Sequence, residues 1–306
     1  MNDGAVSSAD DTLARLLARC TFPPAGSRVD CAVSGGCDSL ALLALASAAD
    51  LAVTAIHVDH GLRPGSADEP SVVEAAARRF GATFVAERVD VADGPNLEAR
   101  ARAARYAALP AGVLTGHTLD DQAETVLLFL LRGVGPSGLA GIHGDRRPLL
   151  ALRRSETRAL CAELGLAVVE DPSNDDPRFT RNRIRAEVLP LLDDVAGRDV
   201  APLLARTAEL QRDVLDVVAG VADAVDPTDA RAVSAAARAV ASEALRRWWR
   251  SETATHYAPD AAAVERMLSV ARGEAVAADV VDGWRIARTA QRLRLDPPLG
   301  DVGEPR

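Results

Sequence analysis

Not one lysine occurs in the 306 residues; all 35 basic side chains are arginine. A Walker-A loop needs GxxxxGK[ST], with the lysine reaching the outer phosphates, and Schiff-base and pyridoxal-phosphate enzymes need a lysine amine. Those classes are excluded together, and protein kinases with them, since their phosphate-pairing residue is also lysine. Aromatic residues make up only 3% of the chain, so the core must be built from Ala, Val and Leu. Four cysteines (Cys20, Cys31, Cys37, Cys161) are scattered without a CxxC, which reads as buried free thiols in a reducing compartment. No stretch approaches the ~18 uninterrupted apolar residues of a membrane span, and the acidic start MNDGAVSSADD is the reverse of a signal peptide. A cytoplasmic protein that does not enter a membrane is expected.

What is present begins at Val29. A short apolar run (Val29, Cys31, Ala32, Val33) has the length of a buried strand, and Ser34–Ser39 then spell SGGCDS ahead of the helix-forming SLALLALASAA. A strand that turns through two glycines into a helix aims free N–H groups and the positive end of the helix dipole at one point. Gly35 and Gly36 allow the backbone to approach a phosphate with no Cβ in the way. The motif matches the SGGxDS signature of the PP-loop ATP pyrophosphatases at Ser34, Gly35, Gly36, Asp38 and Ser39, and so resembles enzymes that split ATP into AMP and pyrophosphate.

Strand and helix patterns alternate downstream. Strands are expected at 52–57, 83–89 and 112–115, with helices over 68–80, 96–108, 120–132 and 155–164. This alternation predicts an α/β fold with a doubly wound, mostly parallel sheet and ligands at the carboxyl ends of its strands. After about Leu192 the strand pattern stops. Helices are expected over 201–225, 230–250 and 261–271, then a closing hairpin from 280–287 and 292–295. The expected division is a catalytic domain over 1–195, a smaller, mainly helical domain over 196–296, and a frayed tail over 297–306.

The polar motifs fall at strand ends: HVDHGLR (57–63), TGHTLDDQAE (115–124) and DPSNDDPRFTRNRIR (171–185). Together with SGGCDS, NLEARARAARY (96–106), LLRGVGPSGLAGI (130–142) and RPLL (147–150), they resemble the tRNA(Ile)-lysidine synthase family in order and spacing over about 29–190. From 201 onward the chain resembles only the family's short form, with one small helical domain. The resemblance implies ligation of free L-lysine to C2 of the wobble cytidine in the CAU anticodon of an isoleucine tRNA. ATP first adenylates the cytosine O2, and AMP and pyrophosphate are released. Codon reading changes from AUG to AUA and identity from methionine to isoleucine.

Under that resemblance, Ser34, Gly35, Gly36, Cys37, Asp38, Ser39 and His117 bind ATP, and Asp38 is the ligand for Mg²⁺, whose alternative role is to cap the helix that follows. Asp120, Asp121 and Glu124 lie within one helical turn, with Asp120 and Glu124 on one face. Crowding is expected to raise their pKa values, so that they bind the lysine ammonium and accept its proton; the alternative is acidic decoration of a helix start. Asp59 is a further candidate. Arg63, Arg132 and the Arg181–Asn182–Arg183 motif, with Arg185 beyond it, are the candidates for phosphate or tRNA backbone. His57, His60 and His117 do not read as zinc ligands, since no cysteine lies near them in sequence. GVGPSG (133–138) is a formal GxGxxG, but it follows a helix and is read as a loop, in reach of a lid role, rather than a dinucleotide site. A tRNA thiolase is disfavoured by the missing CxxC; a non-catalytic ATP- or tRNA-binding module would have no use for an acidic cluster opposite a phosphate loop. The sequence leaves a homodimer open.

Overall fold

A computed structural model describes residues 3–59, 61, 69–89, 100, 104, 107–171, 173, 176–253 and 258–298. Two compact units, 1–209 and 210–306, divide inside one long helix.

In the first unit, β1 (Arg28–Ala32), β2 (Ala52–Asp59) and β3 (Thr83–Arg88) form a parallel sheet in that order. On the free side of β1, Leu114 donates its N–H to Asp30 O at 2.8 Å and accepts that of Ala32 at 2.9 Å. The strand expected over 112–115 is thus a single parallel bridge to Cys31. On the side away from β1, the Thr115 N–H donates to the Arg146 carbonyl at 3.0 Å. The spatial order β3, β2, β1, Leu114 reverses direction beside β1, the switch point at which doubly wound sheets bind ligands.

Around the sheet pack α1 (Asp3–Leu17), α2 (Cys37–Ala48), α3 (Glu69–Arg79), α4 (Leu119–Leu131) and α5 (Arg154–Glu163). Helix α1 has no counterpart among the expected elements. Helix α2 is buried from Ser39 to Ala46, as suits a helix that is apolar on every side. Alternation along β2 separates the faces: Val53 and Ala55 join the α2 core, while Ile56 packs with Leu109 and Val113 on the other side. Both faces of the sheet are covered, as expected. The helix expected over 96–108 lies mostly outside the described residues. A helical run over 180–196 passes through a π-helical stretch, Ile184–Val188, a deformation common near functional sites.

Helix α6 (Ala201–Ala222) crosses the division. In the second unit, α7 (Ala230–Ala235), α8 (Arg238–Thr253) and α9 (Ala261–Arg272) precede an antiparallel sheet of β4 (Ala277–Asp279), β5 (Arg285–Thr289) and β6 (Arg292–Asp296). The single helix expected over 230–250 is broken at Ala236, where ψ is 151°. The break lets Val233 and Leu245 reach one core, and no Gly or Pro marks it in the sequence. The strand expected over 280–287 contains a turn instead. Asp282 (φ 50°) and Gly283 (φ 78°) are its central residues, and the Trp284 N–H closes it on Val281 O at 2.9 Å. Positive φ at both positions is the type I′ geometry that matches strand twist, so the hairpin gains a third strand.

Candidate active site

The SGGCDS loop leaves the carboxyl end of β1. His57 of β2, buried, fastens its entry: Nδ1 lies 2.9 Å from Val33 O and must donate, because a carbonyl only accepts. The Ser39 hydroxyl closes the loop by accepting the Ser34 N–H at 3.1 Å and donating to Gly36 O at 2.9 Å. Gly35 has φ +85°, and a Cβ there would stand 2.8 Å from Val169 Cγ2. Gly36 caps α2 with no side-chain acceptor, so the first-turn N–H groups face outward for an anion. Gly116, which sequence reading passed over, lies against this turn: its missing Cβ would sit 2.5 Å from Asp38 O. Cys37 contributes its carbonyl, which accepts the Cys161 thiol at 3.3 Å, and all four cysteines are free thiols.

Asp38 does not cap its own helix. Its Oδ1 accepts the Thr157 hydroxyl, and Oδ2 lies 3.5 Å from Arg154 Nε. Burial pushes its carboxyl above the ordinary value; the Thr157 hydrogen bond opposes this and the charge of Asp121 adds to it. Mg²⁺ is commonly held by one or two carboxylates together with substrate phosphates rather than by a protein cage. One half-buried carboxylate beside an anion-binding helix start fits that mode, and no larger cluster of metal-ligating side chains occurs among the described residues.

The acidic cluster at the start of α4 is where the structure corrects the sequence reading. Asp121 caps the helix, accepting the Thr118 N–H at 2.8 Å, while its Oδ1 accepts Arg154 and Arg181, each at 2.9 Å. Glu124 is fully buried (0% exposed) and clasped by three guanidiniums, with Arg154 and Arg185 on Oε1 at 2.9 and 2.7 Å and Arg181 on Oε2 at 2.7 Å. Asp120 accepts the Arg154 backbone N–H at 2.7 Å, capping α5 from a distance, and pairs with Arg153 at 2.8 Å. Burial would raise all three, but the arginines outweigh it and hold each carboxyl below its ordinary value. The expected mutual elevation does not occur, because neighbouring cations and not neighbouring anions dominate.

His117 Nδ1 lies 2.7 Å from the Thr115 hydroxyl. Asp59 ends β2 and accepts the Gly61 N–H at 2.8 Å. Arg181, expected at phosphate, is engaged by Asp121 and Glu124. Asn182 pins the preceding loop by donating to Ser173 O and Asp176 O at 2.8 and 3.0 Å. Arg183 is exposed and paired with Glu187 one turn on. Arg132 stands at the far end of α4, roughly 12 Å along the axis from Glu124 and roughly 18 Å from Asp120. Arg63 and His60 lie outside the described residues. Gly133–Gly138 enters a short helix, Pro136–Leu139, and the Gln122 side chain beyond it accepts the Ile142 N–H at 2.6 Å.

Sequence reading missed Arg153, Arg154 and Thr157. Their only local signal was the start of a helix; nothing nearby in sequence shows that this helix starts against two acidic positions more than thirty residues earlier. Arg154 is the hub of the site, touching Asp38, Asp121 and Glu124 at once.

The parallel sheet with an anion-binding loop at its switch point defines a PP-loop nucleotide-binding protein, and the PP-loop domain family matches residues 9–192. Among solved structures, the U34-tRNA thiolase NcsA from Methanococcus maripaludis is similar in fold, with a TM-score of 0.50 at 17% identity over 69% of this chain and 81% of that one. Nearer in sequence is the tRNA(Ile)-lysidine synthase of Nocardia farcinica (strain IFM 10152), 43% identical over 296 residues, 90% of this chain and 92% of its own. That of Rhodococcus opacus (strain B4) is 49% identical over 234 residues, 71% of this chain and 72% of its own. The chain belongs to the tRNA(Ile)-lysidine synthase family of ligases.

Proposed function

We propose that this chain ligates free L-lysine to C2 of the wobble cytidine in a CAU-anticodon tRNA(Ile), in the cytoplasm, at the expense of ATP. One observation carries the reading: a phosphate-binding loop and a set of buried carboxylates meet on the same side chain, Arg154. Such a site can hold a polyphosphate on one side and an ammonium on the other.

In the first step the cytosine O2 attacks the α-phosphorus and pyrophosphate leaves. The N–H groups of Gly35 through Ser39 receive its charge, with the Ser34 and Ser39 hydroxyls beside them. A helix start contributes only about 0.3–1 kcal/mol to an exposed anion and up to ~2 kcal/mol to a partly buried one. Asp38 is the residue that would hold Mg²⁺, which supplies further neutralisation of phosphate charge when bound. In the second step the lysine ammonium gives a proton to solvent water, the free ε-amine forms its bond to C2, AMP departs with the O2 oxygen, and the new C–N nitrogen releases its surplus proton to water. Asp121 and Glu124 are kept ionised by their arginines, so they suit recognition of the ammonium by charge and are poor proton acceptors.

The test is incubation with radiolabelled lysine, ATP and CAU-anticodon transcripts of the isoleucine and methionine tRNAs. Label should enter the isoleucine transcript as AMP appears. ADP as the product, or no lysine on the anticodon base, overturns the reading.

A further inference from the structure

The three carboxylates at the start of α4 are already paired with guanidiniums. Asp38, Asp121 and Glu124 face Arg154, Arg181 and Arg185, three anions against three cations among the described side chains, and Asp120 is taken by Arg153. Each oxygen of Glu124 accepts two N–H groups, and Asp121 Oδ1 accepts two more. A lysine ammonium brings three donors and one positive charge, so it must displace a guanidinium to bind there.

The three arginines are not equivalent. Arg154 is the innermost, 17% exposed, and is tied to the start of α5 by its backbone; Arg181 and Arg185, 31% and 32% exposed, come from the helical run after the 171–179 loop. Arg185 reaches Glu124 alone. Arg181 spans Asp121 Oδ1 at 2.9 Å and Glu124 Oε2 at 2.7 Å, the bridging place an ammonium shared by the two acids would occupy. Asp121 Oδ1 is also bound by Arg154, whose Nε faces Asp38 of the phosphate loop, so Arg181 is joined to that loop through Asp121 and Arg154.

Resting on the lysine-ligation reading, we infer that Arg181 closes the lysine site until a nucleotide is bound. A triphosphate offers anionic oxygens, for which a guanidinium fork is as well matched as for carboxylate. Arg181 then exchanges carboxylate for phosphate, and Asp121 and Glu124 become open to the ammonium. Lysine binding is therefore ordered after ATP by charge exchange, without any covalent step.

Calorimetric titration of the full chain with free L-lysine, with and without adenosine 5′-(α,β-methylene)triphosphate and Mg²⁺, tests this. The analogue should tighten lysine binding by about 5- to 150-fold, the usual span of coupling between sites, and lysine should tighten the analogue by the same factor. Arg181→Gln should bind lysine without nucleotide and lose most of that coupling, while Arg181→Lys, which keeps the cation, should retain it. Equal lysine affinity in wild type with and without the analogue overturns the inference and leaves the ligation reading standing. So does a glutamine variant with undiminished coupling. Lysine that binds under neither condition removes both.

Discussion

Replacing Glu124 by Gln keeps the shape of the side chain and removes its charge. The carboxylate is fully buried and accepts four N–H···O contacts of 2.7–3.2 Å from three guanidiniums. An amide retains one acceptor oxygen and turns an NH₂ toward arginine donors, leaving one cation uncompensated. Removing one partner from a buried ion pair costs about 3–5 kcal/mol, and the retained oxygen places Glu124→Gln near 3 kcal/mol. With a urea m-value of about 2–3 kcal/mol per M, the midpoint of the first unit should fall by roughly 1–1.5 M. All three tryptophans (Trp248, Trp249, Trp284) lie in the second unit, so circular dichroism should report the shift while the tryptophan fluorescence transition moves little. The pH dependence follows from the native pKa, which lies below the ordinary 4.5. A carboxyl depressed in the native state contributes stability above its unfolded pKa and loses it as pH falls through the native one. The gap between wild type and variant should hold at neutral pH and narrow as pH falls below the ordinary 4.5. A midpoint unchanged at pH 7, or a gap independent of pH, would refute the clasp as a stabilising charge cluster.

Asp38→Asn separates catalysis from stability. Because burial raises this carboxyl, protonation favours the folded state: the stability gained this way is fully present below the ordinary value of 3.8 and is lost as pH rises through the elevated native pKa. The neutral amide should therefore leave the fold at least as stable as wild type at pH 7 while abolishing AMP release; wild-type-like turnover would end its assignment to the metal. Gly116→Ala should impair nucleotide binding, because its Cβ would meet backbone atoms of Asp38 at 2.5 and 2.8 Å and shift the start of α2. Overpacking of this kind costs about 1–3 kcal/mol, and an unaltered ATP affinity in equilibrium dialysis would show that the loop tolerates the shift.

Much of the molecule could be read from its letters. Ser34–Ser39 after an apolar run, and an apolar-all-round helix behind it, define the phosphate loop and its burial through short-range chemistry: glycine freedom, orphan N–H groups and helical hydrophobicity. The alternation of strand and helix periods likewise gave the parallel sheet. Errors came where the signal was short or unmarked. The 112–115 stretch pairs through one residue, α7 and α8 part at an alanine, and the Asp282–Gly283 turn, a strong hairpin dipeptide, was overlooked inside an apolar run.

Local order in the chain determined which residue types could bind phosphate and where they lie, since those properties depend on neighbours within a few positions. Which cation meets which anion was decided by the fold alone. Arg154 reaches Asp38, Asp121 and Glu124 across 116, 33 and 30 residues respectively, and Asp120 caps a helix it does not belong to. Helical spacing relates charges on one element; the field at a buried carboxylate comes from every element packed around it, and here that field reverses the expected direction of three pKa values.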